Sequence, residues 1–163
     1  MHQKKWPVFT LLVLFCLFCA GKNNKQESSS ADFTLKSLDN EEYTLSKLKG
    51  QVVIVDFWAT WCPPCRREIP QLVEIYNKYK DNGLVILGIT NEDRGTLETF
   101  RREYHINYPI LLGSNKVFQI FGVKAIPHTL FIDKKGKIRK TQIGFADEVV
   151  PVFVALLDTL MNE

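Results

Sequence analysis

The stretch Gln51-Val52-Val53-Ile54-Val55-Asp56-Phe57-Trp58-Ala59-Thr60-Trp61-Cys62-Pro63-Pro64-Cys65 carries both a structural and a chemical instruction. Gln51 to Trp58 is a β-branched apolar run, the mark of a strand buried on both faces. Beyond it, Ile69, Leu72, Val73, Tyr76 and Tyr79 recur at helical spacing, which predicts a helix over residues 63–80. The two cysteines stand where strand gives way to helix. At i and i+3 of a helix start, their Cα atoms come within disulfide reach, about 5–6 Å. Cys62 meets unpaired backbone N–H groups and the positive end of the helix dipole, which favour thiolate over thiol. Cys65, one turn further in, is expected to be less exposed and less ionised. The inequality supplies a nucleophile and a resolver. Pro63 and Pro64 suit a first helical turn, where their missing N–H groups cost little.

Two other uses of such a pair fit less well. A zinc site needs four ligands, and the remaining imidazoles of the domain, His105 and His128, lack ligand spacing to each other. Cys16 and Cys19 form a second C-x-x-C, but within an apolar leader segment. A purely structural bridge across four residues closes a tiny loop and constrains little. Redox exchange is the preferred reading, with no metal and no organic cofactor implied.

The same alternation extends in both directions. Upstream, Phe33-Thr34-Leu35 and Tyr43-Thr44-Leu45 flank the turn dipeptide Asp39-Asn40 and predict a hairpin. Ser46 to Gly50 reads as one helical turn closed by glycine. Downstream, Leu84–Thr90 is a second buried strand and Arg94–Tyr104 a more polar helix. Ile110–Leu112 is a short strand, and Lys116–Phe121 a helical piece. Thr129–Asp133 and Lys137–Ile143 form a hairpin around Lys134-Lys135-Gly136. Val149–Met161 closes the chain as a helix with Val152, Phe153, Leu156, Leu157 and Leu160 on one face. The fold class is α/β, a three-layer sandwich with a mixed central sheet and an N-terminal β-hairpin extension.

Residues 1–21 read as a signal peptide. Lys4 and Lys5 precede an apolar run from Val8 to Ala20, which at 1.5 Å per residue covers about 20 Å, short of the ~30 Å hydrocarbon core. Cys19, followed by Ala20 and Gly21, looks like the lipidation site of a bacterial lipoprotein signal, although Phe18 stands where a small residue is usual. Plain cleavage after Gly21 and an uncleaved anchor are the alternatives. Residues 22–31 read as a linker, leaving one domain at 32–163.

The charge follows the same division. Of 21 basic and 18 acidic side chains, residues 1–30 hold Lys4, Lys5, Lys22, Lys25 and Glu27, so the domain itself carries 17 of each sign. A neutral domain has no electrostatic footprint for nucleic acid.

Residues 55–65 resemble the active-site strand and loop of the thioredoxin superfamily. Phe33-Thr34-Leu35 with Leu45-Ser46-Lys47-Leu48-Lys49-Gly50 resembles the N-terminal extension of its exported TlpA/ResA-like branch, a redoxin-type (AhpC/TSA) domain. Gly122-Val123-Lys124-Ala125-Ile126-Pro127-His128-Thr129-Leu130-Phe131-Ile132-Asp133 resembles the family's cis-proline loop and the strand after it. The resemblance covers nearly all of residues 32–163. It implies a thioredoxin-like fold, with Cys62 attacking and Cys65 resolving. Pro127, with Ile126 and Trp61, is implied to receive an extended substrate segment beside the disulfide, although packing alone would also account for Trp61. Pro70 matches a helix-kinking proline. His128 is read as a surface-loop histidine.

Two acids enter by the same route. Asp56 matches the buried aspartate of thioredoxins, where desolvation raises a carboxyl pKa, and Glu68 matches an acid typical of the TlpA/ResA-like branch. Either takes the proton from Cys65 when the mixed disulfide resolves. The bland alternatives are a hydrogen-bonded core carboxylate for Asp56 and a solvated first-turn residue for Glu68. The resemblance implies an exported reductase of protein disulfides, with apocytochrome c haem-site cysteines as a substrate class and a membrane thiol reductant as electron donor. The rivals are a disulfide-introducing oxidase or isomerase, a thiol peroxidase and a non-enzymatic surface protein. The peroxidase pattern P-x-x-x-[ST]-x-x-C would need proline at Val55 and Thr or Ser at Ala59.

Overall fold

The computed structural model describes residues 1–2 and 31–163; residues 3–21 of the predicted leader, with Cys16 and Cys19, and residues 22–30 of the predicted linker lie outside the described residues. The N-terminal hairpin pairs β1 (Thr34–Lys36) with β2 (Glu42–Thr44). Asn40 at its turn takes a left-handed φ of 63°, a conformation asparagine tolerates. A 3₁₀ turn at Leu45–Leu48 leads into β3 (Val52–Phe57). Then come α1 (Pro63–Tyr79), β4 (Leu84–Thr90), α2 (Arg94–Glu103), β5 (Ile110–Leu112) and α3 (Asn115–Ile120). The chain ends with β6 (His128–Ile132), β7 (Ile138–Ile143) and α4 (Val150–Asn162).

The sheet runs β5-β4-β3-β6-β7, with β3, β4 and β5 mutually parallel, β6 antiparallel to β3, and β7 antiparallel to β6. Every residue of β3 is buried because the strand is central and covered on both sides. Val52, Ile54 and Trp58 face the layer of α1, α2 and α4, together with Ile69, Leu72, Leu97, Phe153 and Leu157. Val53, Val55 and Phe57 face α3 and the hairpin, with Phe33, Leu111 and Val117. The three-layer sandwich with a mixed sheet is as the sequence predicts.

Three details differ. His128 is the first residue of β6 and 4% exposed, because its register partner is Phe57 on the central strand. Like the whole of β6, which is covered on both faces, it is buried, and it is no surface-loop residue. Val152 is 49% exposed, because the seam of α4 follows Phe153, Leu157 and Leu160. On α1, Ile75 is buried, while Val73 and Tyr76 only flank the core.

Gly88 shows how tightly the middle of the sheet is packed. A Cβ there would lie 2.8 Å from Trp58 Nε1 and 3.3 Å from the Tyr108 ring. Gly88→Ala is therefore expected to destabilise the fold by about 1–3 kcal/mol through overpacking. Urea unfolding checks it, and an unchanged midpoint would refute the packing argument.

Candidate active site

Cys62 caps α1. Its backbone is extended (φ −88°, ψ 109°), Pro63 and Pro64 fill the first turn, and its sulfur accepts the Cys65 N–H at 3.3 Å. The two cysteines form a disulfide with Cα atoms 5.3 Å apart, inside the range the spacing predicts. Both are nearly buried, so their inequality lies in what surrounds each rather than in exposure. Cys62 has the helix end and the Ile126 carbonyl, 3.7 Å away, whereas Cys65 lies within the first turn of α1.

The Ile126–Pro127 peptide is cis. Ile126 lines a groove with Trp58, Ala59, Trp61, Asn91, Phe118, Val123, Lys124 and Ala125. Trp61 is 70% exposed there, which removes core packing as its explanation. Pro70 lies inside α1 as expected.

Behind the disulfide, the structure brings Asp56 and Glu68 together. Asp56, Gly88 and Thr129 are register partners across β3, β4 and β6, so all three face one layer. Glu68 descends to them from α1 and is fully buried, which overturns the solvated alternative. The Thr129 hydroxyl lies 2.8 Å from Glu68 Oε1 and 3.3 Å from Asp56 Oδ1, one proton between two acceptors. Asp56 Oδ2, Glu68 Oε2, Trp58 Nε1 and Tyr108 Oη have no hydrogen-bond partner within the described residues. Burial raises both carboxyls far above the usual range, and the Asp56 charge raises Glu68 further. Burial also pushes the Tyr108 hydroxyl well up and His128 down.

Thr129 and Tyr108 are the members of this site that sequence reasoning passes over. The buried run of β6 hides Thr129 among its neighbours, and only the β3–β6 register sets it opposite Asp56. Among the described residues, no cluster of three or more His, Cys, Asp or Glu could hold a metal ion.

Residues 28–141 match the AhpC/TSA family. The thiol-disulfide oxidoreductase ResA of Geobacillus thermodenitrificans is 35% identical over 119 residues, covering 72% of this chain and 68% of that protein. ResA of Bacillus subtilis is 32% identical over 149 residues, 85% of this chain and 83% of that one. Among solved structures, a thiol:disulfide interchange protein of Chlorobium tepidum superposes with a TM-score of 0.72 at 26% identity, covering 80% of this chain and 93% of that one. The exposed lipoprotein thioredoxin of Streptococcus pneumoniae gives 0.66 at 31% identity, covering 81% and 99%. A disulfide at the start of a helix, a cis-proline in the loop beside it and relatives alike over most of their length leave one assignment: the chain belongs to the AhpC/TSA family, as a ResA-like thiol-disulfide oxidoreductase of thioredoxin fold.

Proposed function

We propose that this oxidoreductase works as a reductase of protein disulfides in the cell envelope. The observation that carries the reading is the Cys62–Cys65 pair at the start of α1 with two buried, proton-retaining carboxyls behind it. In the reduced enzyme the Cys62 thiolate attacks one sulfur of a substrate disulfide. That S–S bond breaks, a mixed disulfide forms, and the first substrate sulfur leaves as a thiolate and takes a proton from solvent. Cys65 then gives its proton to the buried pair and attacks Cys62 Sγ. The Cys62–substrate S–S bond breaks, the second substrate sulfur leaves as a thiolate and takes a proton from solvent, and the enzyme's own disulfide remains.

Desolvation and mutual repulsion keep one proton on the pair near neutral pH, so one carboxylate stays free to accept. Trp61 and Ile126 line the groove, Pro127 follows Ile126 through the cis peptide, and the three are assigned the substrate segment. A dithiol donor on the membrane restores the reduced enzyme, since an envelope compartment is oxidising. The basic and apolar leader supports export, and Cys19, in a chain similar to a pneumococcal lipoprotein, is assigned the anchor. Apocytochrome c cysteines are the proposed substrate class, on the family resemblance alone.

Cys65→Ser tests the reading. The variant is expected to accumulate mixed disulfides through Cys62 in living cells, and mass spectrometry of the adducts names the substrates. A preparation free of adducts would sink the proposal. The reduction potential separates a reductase from a disulfide-introducing oxidase, which would lie near about −120 mV rather than far lower.

A further inference from the structure

The loop that delivers Cys62 to the head of α1 is held by a carboxylate from another part of the chain. Glu92 follows β4 and immediately precedes Asp93, the residue that caps α2 by accepting the Thr96 N–H at 3.0 Å. Its two oxygens take the Thr60 backbone N–H at 2.7 Å and the Thr60 hydroxyl at 2.6 Å, and the buried Thr90 hydroxyl adds a third bond at 3.2 Å. Bonds this short to an ionised acceptor belong to the strong class. Among the described residues no Lys, Arg or His nitrogen pairs with Glu92 within 4.0 Å. All three donors are neutral, and two belong to the loop. An ion pair for surface stability would look different.

The rest of the loop has few ties of its own. Trp58 N–H reaches the Ile89 carbonyl at 3.1 Å, and Cys62 N–H reaches back to Ala59 O at 3.1 Å. Between them, Thr60 is anchored by Glu92. Cys62 stands outside the helix in extended conformation, whereas Cys65 is fixed within it. The position of one sulfur relative to the other therefore depends on the loop.

We propose that Glu92 is a positioning residue for the redox pair: by clamping Thr60 it holds Cys62 where its sulfur meets that of Cys65, and so favours closure of the disulfide. The inference rests on the reading of Cys62 and Cys65 as an exchanging pair. Its effect is on effective concentration, which misplacement of a reacting group by a fraction of an ångström lowers steeply.

The test is the equilibrium constant for oxidation of the dithiol by glutathione disulfide, measured on the full chain. Glu92→Ala is expected to lower it about tenfold. Glu92→Gln, whose amide still accepts the Thr60 N–H and can donate to the Thr60 hydroxyl, is expected to stay within about twofold of wild type. Thr60→Val, which removes only the hydroxyl bond, is expected to fall between them and serves in place of Glu92→Ala if that variant does not fold. A wild-type constant in the alanine variant, or in Thr60→Val when it stands in, overturns the proposal. A glutamine variant that falls as far as alanine overturns it too, because charge rather than placement would then be at work. Failure of the wild-type protein to equilibrate with glutathione would instead refute the exchange reading itself.

Discussion

Glu68→Gln is expected to stall the enzyme at its mixed disulfide, slowing resolution by about 10²- to 10⁴-fold, because it breaks the shared-proton pair at the member nearer Cys65 along α1, through which the pair takes up the Cys65 proton. Glu68 sits one helical turn beyond Cys65 on the same buried face, and it holds the shorter of the two Thr129 bonds. The first attack, by Cys62, is expected to be unaffected, because that sulfur is served by the helix end. Asp56→Asn has a different signature. The Asp56 charge is one of the causes that raise Glu68, so its removal lets Glu68 ionise at lower pH. The pH profile for resolution then moves in the acid direction instead of collapsing. Single-turnover release of a chromophoric thiol from a preformed Cys62 adduct reads both effects. Wild-type release in Glu68→Gln would assign the proton to another group.

Stability is expected to fall as pH rises through the neutral and mildly alkaline range. Asp56 and Glu68 are raised in the folded protein, to about 7 and about 9. Between the ordinary carboxylate values, near 4, and these raised ones, the native state binds more protons than the unfolded chain. Their contribution is therefore complete at low pH and is lost as pH climbs through the folded values. His128 acts in the opposite sense, since burial lowers it, but its effect is finished above its ordinary value of about 6.5. Tyr43, raised to about 12, and Tyr108 enter only at higher pH.

The interval from about pH 7 to 9, above the values of His128 and Asp56, thus isolates Glu68. Each tenfold gain in proton affinity on folding is worth about 1.4 kcal/mol, or roughly 4 °C in Tm for a domain of this size. Thermal melts of the oxidised protein should show the decline, and Glu68→Gln should flatten it. A wild-type Tm that holds or rises across that interval would contradict the buried, proton-retaining pair.

The parts of this molecule that the sequence reveals are those set by short-range physics. The run Val52–Phe57 gives a doubly covered strand from composition alone, and the seam of α1 follows from apolar spacing. The cap formed by Cys62 follows from a cysteine placed just before two prolines. Other parts depend on register. Thr129 meets Asp56 and Glu68 only because β6 pairs antiparallel with β3 at one particular offset, and no local pattern fixes that offset. Glu92 lies 32 residues from Thr60 and finds it through the ends of two neighbouring strands. His128 escapes a local reading for the same cause: it follows a loop proline, yet it is already part of the sheet.

The hairpin does more than extend the domain. Leu38 N–H bonds the Ile110 carbonyl at 2.9 Å, and Ser37 bridges Leu111, so β5 does not offer a bare rim. At the opposite rim, β7 carries Arg139 and Lys140 beside a register shift in its pairing with β6. Cover at one margin, with charge and irregularity at the other, are what discourage sheets from joining edge to edge. By pairing with β5, the short N-terminal ribbon removes one of the two rims at which another sheet could add.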